Sequence, residues 1–173
     1  MRKLLLFFFC SLLLISCVAA SGTPGDISGA WVDDEERLYF LDEDGTLGLP
    51  GQTALSGVSW KLEHGVLTLA TMDSPGGEVR EQKLVLKQTG SGRMEFTDAD
   101  GAPVTWKKSR TKVGRLEGTL FYRERMALPP EVIVSVQLYP LHSPVPVASS
   151  IMPSSGGGSI PFRVYYLEQT MAP

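Results

Sequence analysis

The sequence predicts an all-β protein: a small antiparallel barrel or sandwich, followed by a second β-sandwich-like domain whose completeness stays open. Three observations predict this class. Apolar and polar side chains alternate with period two over short stretches, Gly, Asp and Pro separate these stretches at close spacing, and helical periodicity is almost absent. Many short strands with regular turns are typical of small barrels and sandwiches.

The first domain, residues 26–108, is predicted to be a series of short strands joined by tight turns. The alternating positions, in chain order, are Leu38 and Phe40, then Val58, Trp60 and Leu62, then Val66 to Ala70, Leu84 and Leu86, Met94 and Phe96, and Val104 and Trp106. Phe40–Gly45 and Phe96–Gly101 repeat a Phe-x-Asp-x-Asp-Gly pattern, and Glu63–Gly65 is a third turn. Aspartates bond their own backbone in turns while glycine takes positive φ, so each pattern predicts a hairpin.

The opening of this domain, Gly29-Ala30-Trp31, resembles the Gly-x-Trp start of lipocalin-like domains. That resemblance implies a ligand pocket to which Trp31 and Trp60 could contribute. The alternative is that both are ordinary core tryptophans. About eighty residues are few for an eight-stranded lipocalin, which argues against an open cavity.

A polar, basic break, Lys107–Lys112, ends the first domain. It is interpreted as a solvated linker, with a basic docking strip as the alternative, and the linker is placed at residues 109–113. The second domain, residues 114–173, then contains predicted strands at Leu116–Tyr122, Val132–Leu138 and Ile160–Tyr166.

This second domain resembles the YbaY-like lipoprotein family, which is also named for YscW-type pilotins of type III secretion. The resemblance is carried by Gly118–Pro130, which reads Gly-Thr-x-x-Tyr-Arg-Glu-Arg-x-Ala-Leu-Pro-Pro, then by Val136–Leu138 and by Ile160–Phe162. It implies a small β-sandwich with no catalytic residues. Family members continue for several strands beyond the Pro-Phe strand, so a partner chain or the first domain would complete this one, or it is a shortened form.

The N-terminus is typical of an exported protein. Arg2 and Lys3 provide a positive start, Leu4–Ile15 is an almost unbroken apolar run, and the small residue Ser16 precedes Cys17. This order is that of a secretory signal. The apolar run is also shorter than the roughly 20 residues that a membrane-spanning helix needs.

The ending Leu14–Cys17 resembles the lipobox of bacterial lipoproteins, in which the cysteine thiol is diacylated and the chain is cleaved before Cys17. We therefore expect residues 1–16 to be the signal peptide and residues 17–25 a flexible tether. An ordinary signal peptide cleaved at Ala19–Ser21, or an uncleaved anchor, is the alternative. Val18, which stands where an inner-membrane retention signal has Asp, favours the periplasmic face of the outer membrane by resemblance to Gram-negative lipoproteins.

Charge and cysteine content narrow the possible partners. The chain has 16 basic and 19 acidic residues and a formal net charge of −3, which becomes −5 once the signal and its two basic residues are removed. Nucleic acid, which requires a clustered basic face, is not an expected partner. Cys10 would leave with the signal and Cys17 would be acylated, so the mature fold would contain no disulfide.

Candidate catalytic and metal-binding motifs are weak throughout. His64 and His142 have no second ligand at metal-binding spacing. Asp42–Gly45 is similar to part of a calcium loop, but the twelfth position is Thr53 rather than Glu, which favours a plain hairpin. Ser155–Ser159 lacks the lysine of a phosphate loop. We expect no catalytic residue, no metal and no cofactor, and hence a protein that is not an enzyme.

Two polar stretches are candidates for contact with a partner. Asp33–Glu36 is interpreted as a solvated turn, with a binding edge as the alternative. Tyr122, Arg123 and Arg125 are candidate partner contacts, because a strand projects Arg123 and Arg125 from one face. A structural ion pair or a solvated edge is the alternative for these three residues.

Two functions are compatible with these features. The first is a membrane-anchored envelope lipoprotein that acts as a non-enzymatic adaptor, or as a pilotin-like chaperone of an outer-membrane or secretion component. The second is a carrier that holds a small apolar ligand in the first domain.

Overall fold

The computed structural model describes residues 27–53, 55–73, 77–90, 92–121, 132–153 and 159–171. The first eight strands form one antiparallel sheet in the order β3-β2-β1-β8-β7-β6-β5-β4. Their bounds are β1 Gly29–Val32, β2 Leu38–Leu41, β3 Leu47–Gly48, β4 Ser56–Glu63, β5 Val66–Met72, β6 Val79–Gly90, β7 Arg93–Thr97 and β8 Pro103–Lys108. The predicted all-β class is confirmed, and of its two alternatives the chain adopts the barrel.

The barrel is nearly closed. The two outer strands, β3 and β4, meet through a bridge between Thr46 and Ser59 and through the Trp60 amide, which donates to the Gly45 carbonyl at 2.8 Å. Buried side chains fill the interior; the largest are Trp31, Tyr39, Trp60, Phe96 and Trp106, packed with Leu41, Leu47, Leu67, Leu69, Leu84 and Met94. Burial of this apolar surface is the main stabilising contribution to the barrel.

Four more strands follow the barrel and form the C-terminal unit: β9 Val113–Phe121, β10 Ile133–Leu138, β11 Ala148–Pro153 and β12 Ser159–Leu167. β9 pairs with β12 and β10 pairs with β11, both antiparallel. A short 3-10 turn, Glu168–Thr170, follows β12. The described ranges contain no helix with the length and apolar character needed to cross a membrane.

Most predicted turns and strands are confirmed, with two exceptions. β11 was not predicted, because its residues Ala-Ser-Ser-Ile-Met-Pro show no clear alternation. Val58 was expected to share a face with Trp60 and Leu62. A bulge between Gly57 and Ser59 shifts the register instead, so Val58 is 37% exposed while the other two are buried.

Candidate functional site

The barrel and the C-terminal unit meet at a polar junction, which we call the docking cluster: Asp42, Asp44, Arg115, Glu117, Arg163 and Tyr165. The two aspartates lie at the hairpin between β2 and β3. The other four lie on β9 and β12, whose register pairs Arg115 with Tyr165 and Glu117 with Arg163. Residues directly opposite in an antiparallel ladder share a face, so these four side chains all project toward the hairpin.

Asp42 is the centre of the docking cluster and is only 9% exposed. Its Oδ2 accepts hydrogen bonds from the Tyr165 hydroxyl at 2.6 Å and from Arg115 Nη1 at 3.0 Å. Its Oδ1 accepts the Glu43 amide at 2.8 Å, and its carbonyl accepts the indole N–H of Trp60 at 2.8 Å. One aspartate thus connects the local turn, the barrel core and the C-terminal unit.

Arg163 joins the second aspartate to β9. Its Nη1 donates to Asp44 Oδ2 at 2.5 Å and to Thr46 Oγ1 at 3.0 Å, while its Nε donates to Glu117 Oε1 at 2.5 Å. Charge-assisted hydrogen bonds of this kind are stronger and more directional than neutral ones. They therefore set the orientation of the β9–β12 sheet relative to the hairpin.

Contacts within the docking cluster shift the pKa values of three of its members. The hydrogen bond from Arg163 lowers the pKa of Asp44 to about 2, and the bond to Asp44 raises the pKa of Arg163. Burial, followed by the bond to Asp42, raises the pKa of Tyr165. At neutral pH the Asp44–Arg163 pair is therefore charged, and Tyr165 stays protonated and able to donate.

Close packing accompanies these polar contacts. The ring of Tyr165 lies 5.2 Å, centroid to centroid, from that of Phe40 on the barrel surface. It also lies so close to Gly48 that a Cβ there would come within 2.7 Å of the Tyr165 ring. The Tyr165 ring therefore packs directly on the backbone of Gly48, and any side chain at position 48 would displace it.

A cleft of about 200 Å³ lies beside this contact, between the β3–β4 seam of the barrel and strands β11 and β12. Leu47 and Val58 line its barrel side, and Ile151, Met152 and Phe162 line the opposite side. The exposed Val58 at the bulge therefore has a tertiary neighbour, although it does not belong to the barrel core.

The other face of the β9–β12 sheet is apolar and unevenly covered. Across the ladder, Leu116 pairs with Val164 and Leu120 pairs with Ile160. The β12 members are buried, at 0% and 4% exposure, whereas Leu116 and Leu120 on β9 are 43% and 37% exposed. Phe121, which ends β9 and by alternation belongs to the docking-cluster face, is 76% exposed.

The hydrogen-bonding edge of β9 is also free over the described strands. β9 pairs with β12 on one side, and within the described ranges its other side has no strand partner. An unpaired edge beside exposed apolar side chains is a surface suited to pairing with another chain.

The structure describes two of the candidate site residues that the sequence predicted. Trp31 and Trp60 are 3% and 4% exposed, and their indole N–H groups donate to the carbonyls of Ile27 and Asp42, so both pack as core residues. Cys17 lies outside the described residues, as do the candidate partner contacts Tyr122, Arg123 and Arg125.

The acidic turn at the end of β1 is only partly solvated. Asp33 is buried, and its carboxylate accepts from the Arg37 amide and Nε, the Glu35 amide and the Tyr39 hydroxyl. Asp34, Glu35 and Glu36 are exposed. In the described ranges, no three His, Cys, Asp or Glu side chains converge closely enough to hold a metal ion.

Sequence reasoning missed the docking cluster. The alternation of β9 and β12 could have placed Arg115 with Glu117, and Arg163 with Tyr165, on single strand faces. No sequence signal connected those faces to Asp42 and Asp44, which are 73 and 119 residues away from Arg115 and Arg163, respectively.

Comparison with known proteins identifies no relative. No protein-family model matches the chain, and neither the curated proteins nor the solved structures include one that is similar to it. Function is therefore inferred from the residues and their geometry.

Proposed function

We propose that this protein is a non-enzymatic adaptor, attached by lipid at Cys17 to the periplasmic face of a bacterial outer membrane, which holds an envelope protein through the free edge of β9. The lipobox-like sequence supports the anchor, and the surface of β9 supports the capture of a partner. The sequence resemblance to YscW-type pilotins suggests an outer-membrane or secretion component as that partner.

The uneven burial across the β9–β12 ladder carries this proposal. Val164 and Ile160 are covered, yet their cross-strand neighbours Leu116 and Leu120 are more than a third exposed on the same face. The apolar face thus extends past its cover toward an edge that is unpaired in the described ranges. A partner strand added there would extend the ladder and cover both leucines.

The partner segment that fits this surface is an extended, apolar one. Strand addition supplies main-chain hydrogen bonds, and alternate side chains of the added strand would pack beside Leu116 and Leu120. The docking cluster occupies the opposite face and holds the sheet on the barrel, so the edge is presented by a fixed support.

Lipid attachment would assist such an adaptor. Two or more acyl chains make membrane association stable, since each buried methylene contributes about 0.8 kcal/mol. Confinement to one membrane surface raises the effective concentration of the adaptor near an outer-membrane client.

Site-specific photocrosslinking in living cells tests the proposal. A photoreactive residue at position 116 or 120 is expected to form one reproducible adduct with an envelope protein. Position 85 on β6 is the matched control, because Val85 is an apolar barrel residue with 42% exposure, nearly equal to that of Leu116.

Substitution then tests whether the contact matters. Leu120→Ser should abolish the adduct formed from position 116, while Val85→Ser should leave it intact. Equal crosslinking from positions 85 and 116 would contradict a specific β9 surface.

In fractionation, Cys17→Ala should release the protein from membranes, and retention of that variant would contradict the lipid anchor.

A further inference from the structure

The loop between β10 and β11 presents an exposed apolar tip. β10 ends at Leu138 and β11 begins at Ala148, so the loop comprises residues 139–147. Leu141 is 86% exposed and Val145 is 63% exposed, which places both among the three most exposed large apolar side chains of the described residues. Single exposed apolar side chains are common on protein surfaces, so their exposure alone does not indicate a partner.

The sequence on both sides of this loop carries no formal charge. Between Glu131 and Arg163 the chain contains no Asp, Glu, Lys or Arg over 31 consecutive residues. At the chain's average of 20% charged residues, about six would be expected there. By comparison, four of the twelve residues of β6 are charged, although that strand also exposes two valines. The loop can therefore leave water without burying an unpaired charge, which is the most costly group to desolvate.

The backbone of the loop is also suited to surroundings of low polarity. Three of its nine residues are prolines, which have no backbone N–H to desolvate. The Ser143 amide donates to the Pro140 carbonyl at 3.1 Å, and the Val147 amide donates to the Leu138 carbonyl at 2.8 Å. The Val145 amide donates to the Ser143 hydroxyl oxygen at 3.2 Å. Because these donors are satisfied within the hairpin, moving the loop out of bulk water carries a reduced desolvation cost.

Tyr139 adds an amphipathic side chain where the loop leaves β10. It is 46% exposed, and its hydroxyl donates to the Gln137 side-chain oxygen at 2.6 Å. Tyrosine is enriched at the boundary between lipid and water, where its ring contacts apolar groups and its hydroxyl stays with polar ones. The loop thus combines an apolar tip with an amphipathic aromatic residue at its start.

A lipid surface fits this loop better than a protein partner does. Protein interfaces have a polar rim that fixes the partner, and the loop offers no charged side chain for such a rim. A bilayer accepts apolar side chains of any shape at the boundary between headgroups and acyl chains. The proposed attachment at Cys17 also holds the protein beside a bilayer. The ten residues 17–26 span at most about 35 Å before the first described residue, Ile27.

We propose that Leu141 and Val145 insert into the headgroup region of the membrane to which Cys17 attaches the protein, with Tyr139 at the boundary between lipid and water. The loop is then a second membrane contact, which fixes the face that the protein turns toward the bilayer. The proposal rests on the proposed lipid attachment and is independent of the partner bound by β9. Because the loop has no formal charge, the contact should require neither anionic lipid nor low salt.

Quenching of tryptophan fluorescence by brominated lipid tests this contact. The chain from Cys17 to Pro173 is coupled through Cys17, its only thiol, to a maleimide lipid in vesicles of phosphatidylethanolamine and phosphatidylcholine. This coupling makes the result independent of whether cells acylate Cys17. The three natural tryptophans are at most 4% exposed, so a tryptophan added at an exposed position reports on its own surroundings.

Leu141→Trp should be quenched by phosphatidylcholine that carries bromine on its acyl chains, and its emission should shift to shorter wavelength. Val85→Trp is the matched control, because Val85 is an apolar residue of the barrel with 42% exposure. The brominated lipid should leave the emission of that variant unchanged. Added phosphatidylglycerol or high salt should change neither result.

Removal of the apolar side chains measures their contribution. In the uncoupled Cys17→Ala chain, Leu141→Ser with Val145→Ser should lower partitioning into the same vesicles by about tenfold, because two partly buried apolar side chains are lost. Val79→Ser with Val85→Ser on β6 is the matched pair and should leave partitioning unchanged. Circular dichroism spectra that match the parent chain would show that both variants are folded.

Equal quenching at positions 141 and 85 would overturn the proposal, as would loss of the quenching at position 141 in high salt. A lack of quenching at position 141, with a protein adduct formed in cells from a photoreactive residue there, would assign the loop to a protein partner instead. Quenching at position 141, together with a Cys17 that carries no acyl chain in cells, would support the affinity of the loop for lipid and contradict the proposed anchor alone.

Discussion

The two Phe-x-Asp-x-Asp-Gly hairpins have the same backbone turn and different surroundings. In each, the first aspartate accepts the glycine amide through its carbonyl, at 3.0 Å in Asp42–Gly45 and 3.2 Å in Asp98–Gly101. Gly45 and Gly101 have φ of 85° and 84°. Yet Asp42 is buried beneath the C-terminal unit, while the bonds that Asp98 accepts are in an exposed turn.

The carboxylates of Asp42 and Asp98 therefore have different roles, although both belong to the same sequence pattern. The Asp98 carboxylate serves its own turn through Oδ1, which accepts the Asp100 and Ala102 amides. The Asp42 carboxylate uses Oδ1 for the turn and Oδ2 for Arg115 and Tyr165. The hairpin at Asp42 thus holds the C-terminal unit on the barrel. Substitutions should distinguish these tertiary contacts from the contacts within the turn.

Tyr165→Ala should produce the largest effect, because it uncovers the Asp42 hairpin and removes a buried ring. We expect a decrease of about 3–5 kcal/mol in the free energy of unfolding, as for other buried aromatic residues. Urea denaturation measures it. Tyr139→Ala, at a 46% exposed tyrosine, is the control and should change stability by less than about 0.5 kcal/mol. Similar losses for both variants would contradict the role of Tyr165 in docking.

Asp42→Asn and Asp98→Asn compare the two hairpins directly. Asparagine keeps an acceptor for the turn amides, so the change removes mainly the charge. At Asp42, whose side chain is 12% exposed, this removes the charge that accepts the buried Tyr165 hydroxyl and the half-exposed Arg115, and it should cost about 1–3 kcal/mol of unfolding free energy. At Asp98 the cost should stay below about 0.5 kcal/mol. Equal costs in denaturation experiments would show that the docking contacts contribute nothing specific.

Gly45→Ala and Gly101→Ala should instead have equal effects. Both positions have left-handed φ, which costs an L-residue about 1–2 kcal/mol. An added Cβ would meet nothing within 4 Å at Gly101, and at Gly45 it would make an ordinary contact of 3.4 Å with the Trp60 carbonyl. Thermal or urea unfolding of the two variants should therefore agree, and a much larger loss at Gly45 would reveal an additional tertiary constraint.

The pH dependence of stability should show the smallest effect, through Asp44. Its pKa is lowered to about 2 by Arg163, so its contribution is fully present above the unfolded value near 3.8 and is lost as pH falls toward 2. Because its side chain is about half exposed, the contribution should not exceed about 1 kcal/mol. Asp44→Asn should flatten the stability curve between pH 4 and 2. The buried Asp33, whose pKa is also lowered, should keep the remaining slope.

The hairpins also show how far prediction from sequence could go. Both turns were predicted because Asp and Gly act on their own backbone within a few residues. β11 and the bulge at Val58 were not predicted. At the bulge, a Cβ on Gly57 would overlap the Leu47 carbonyl oxygen, so the irregularity arises where β4 passes close to β3. A contact between separate strands does not change the pattern of apolar and polar residues along either strand, so it could not be predicted from that pattern.

The amino-acid sequence by itself determined the all-β class, the alternating strands and the two aspartate turns, because these depend on neighbours along the chain. The tertiary structure decided which turn carries the C-terminal unit. Tyr165 reaches Asp42 across 123 residues, and the register of β9 with β12 brings Arg115 to the same carboxylate. Such charged contacts depend on two surfaces meeting in one geometry, and that geometry is a property of the packed fold.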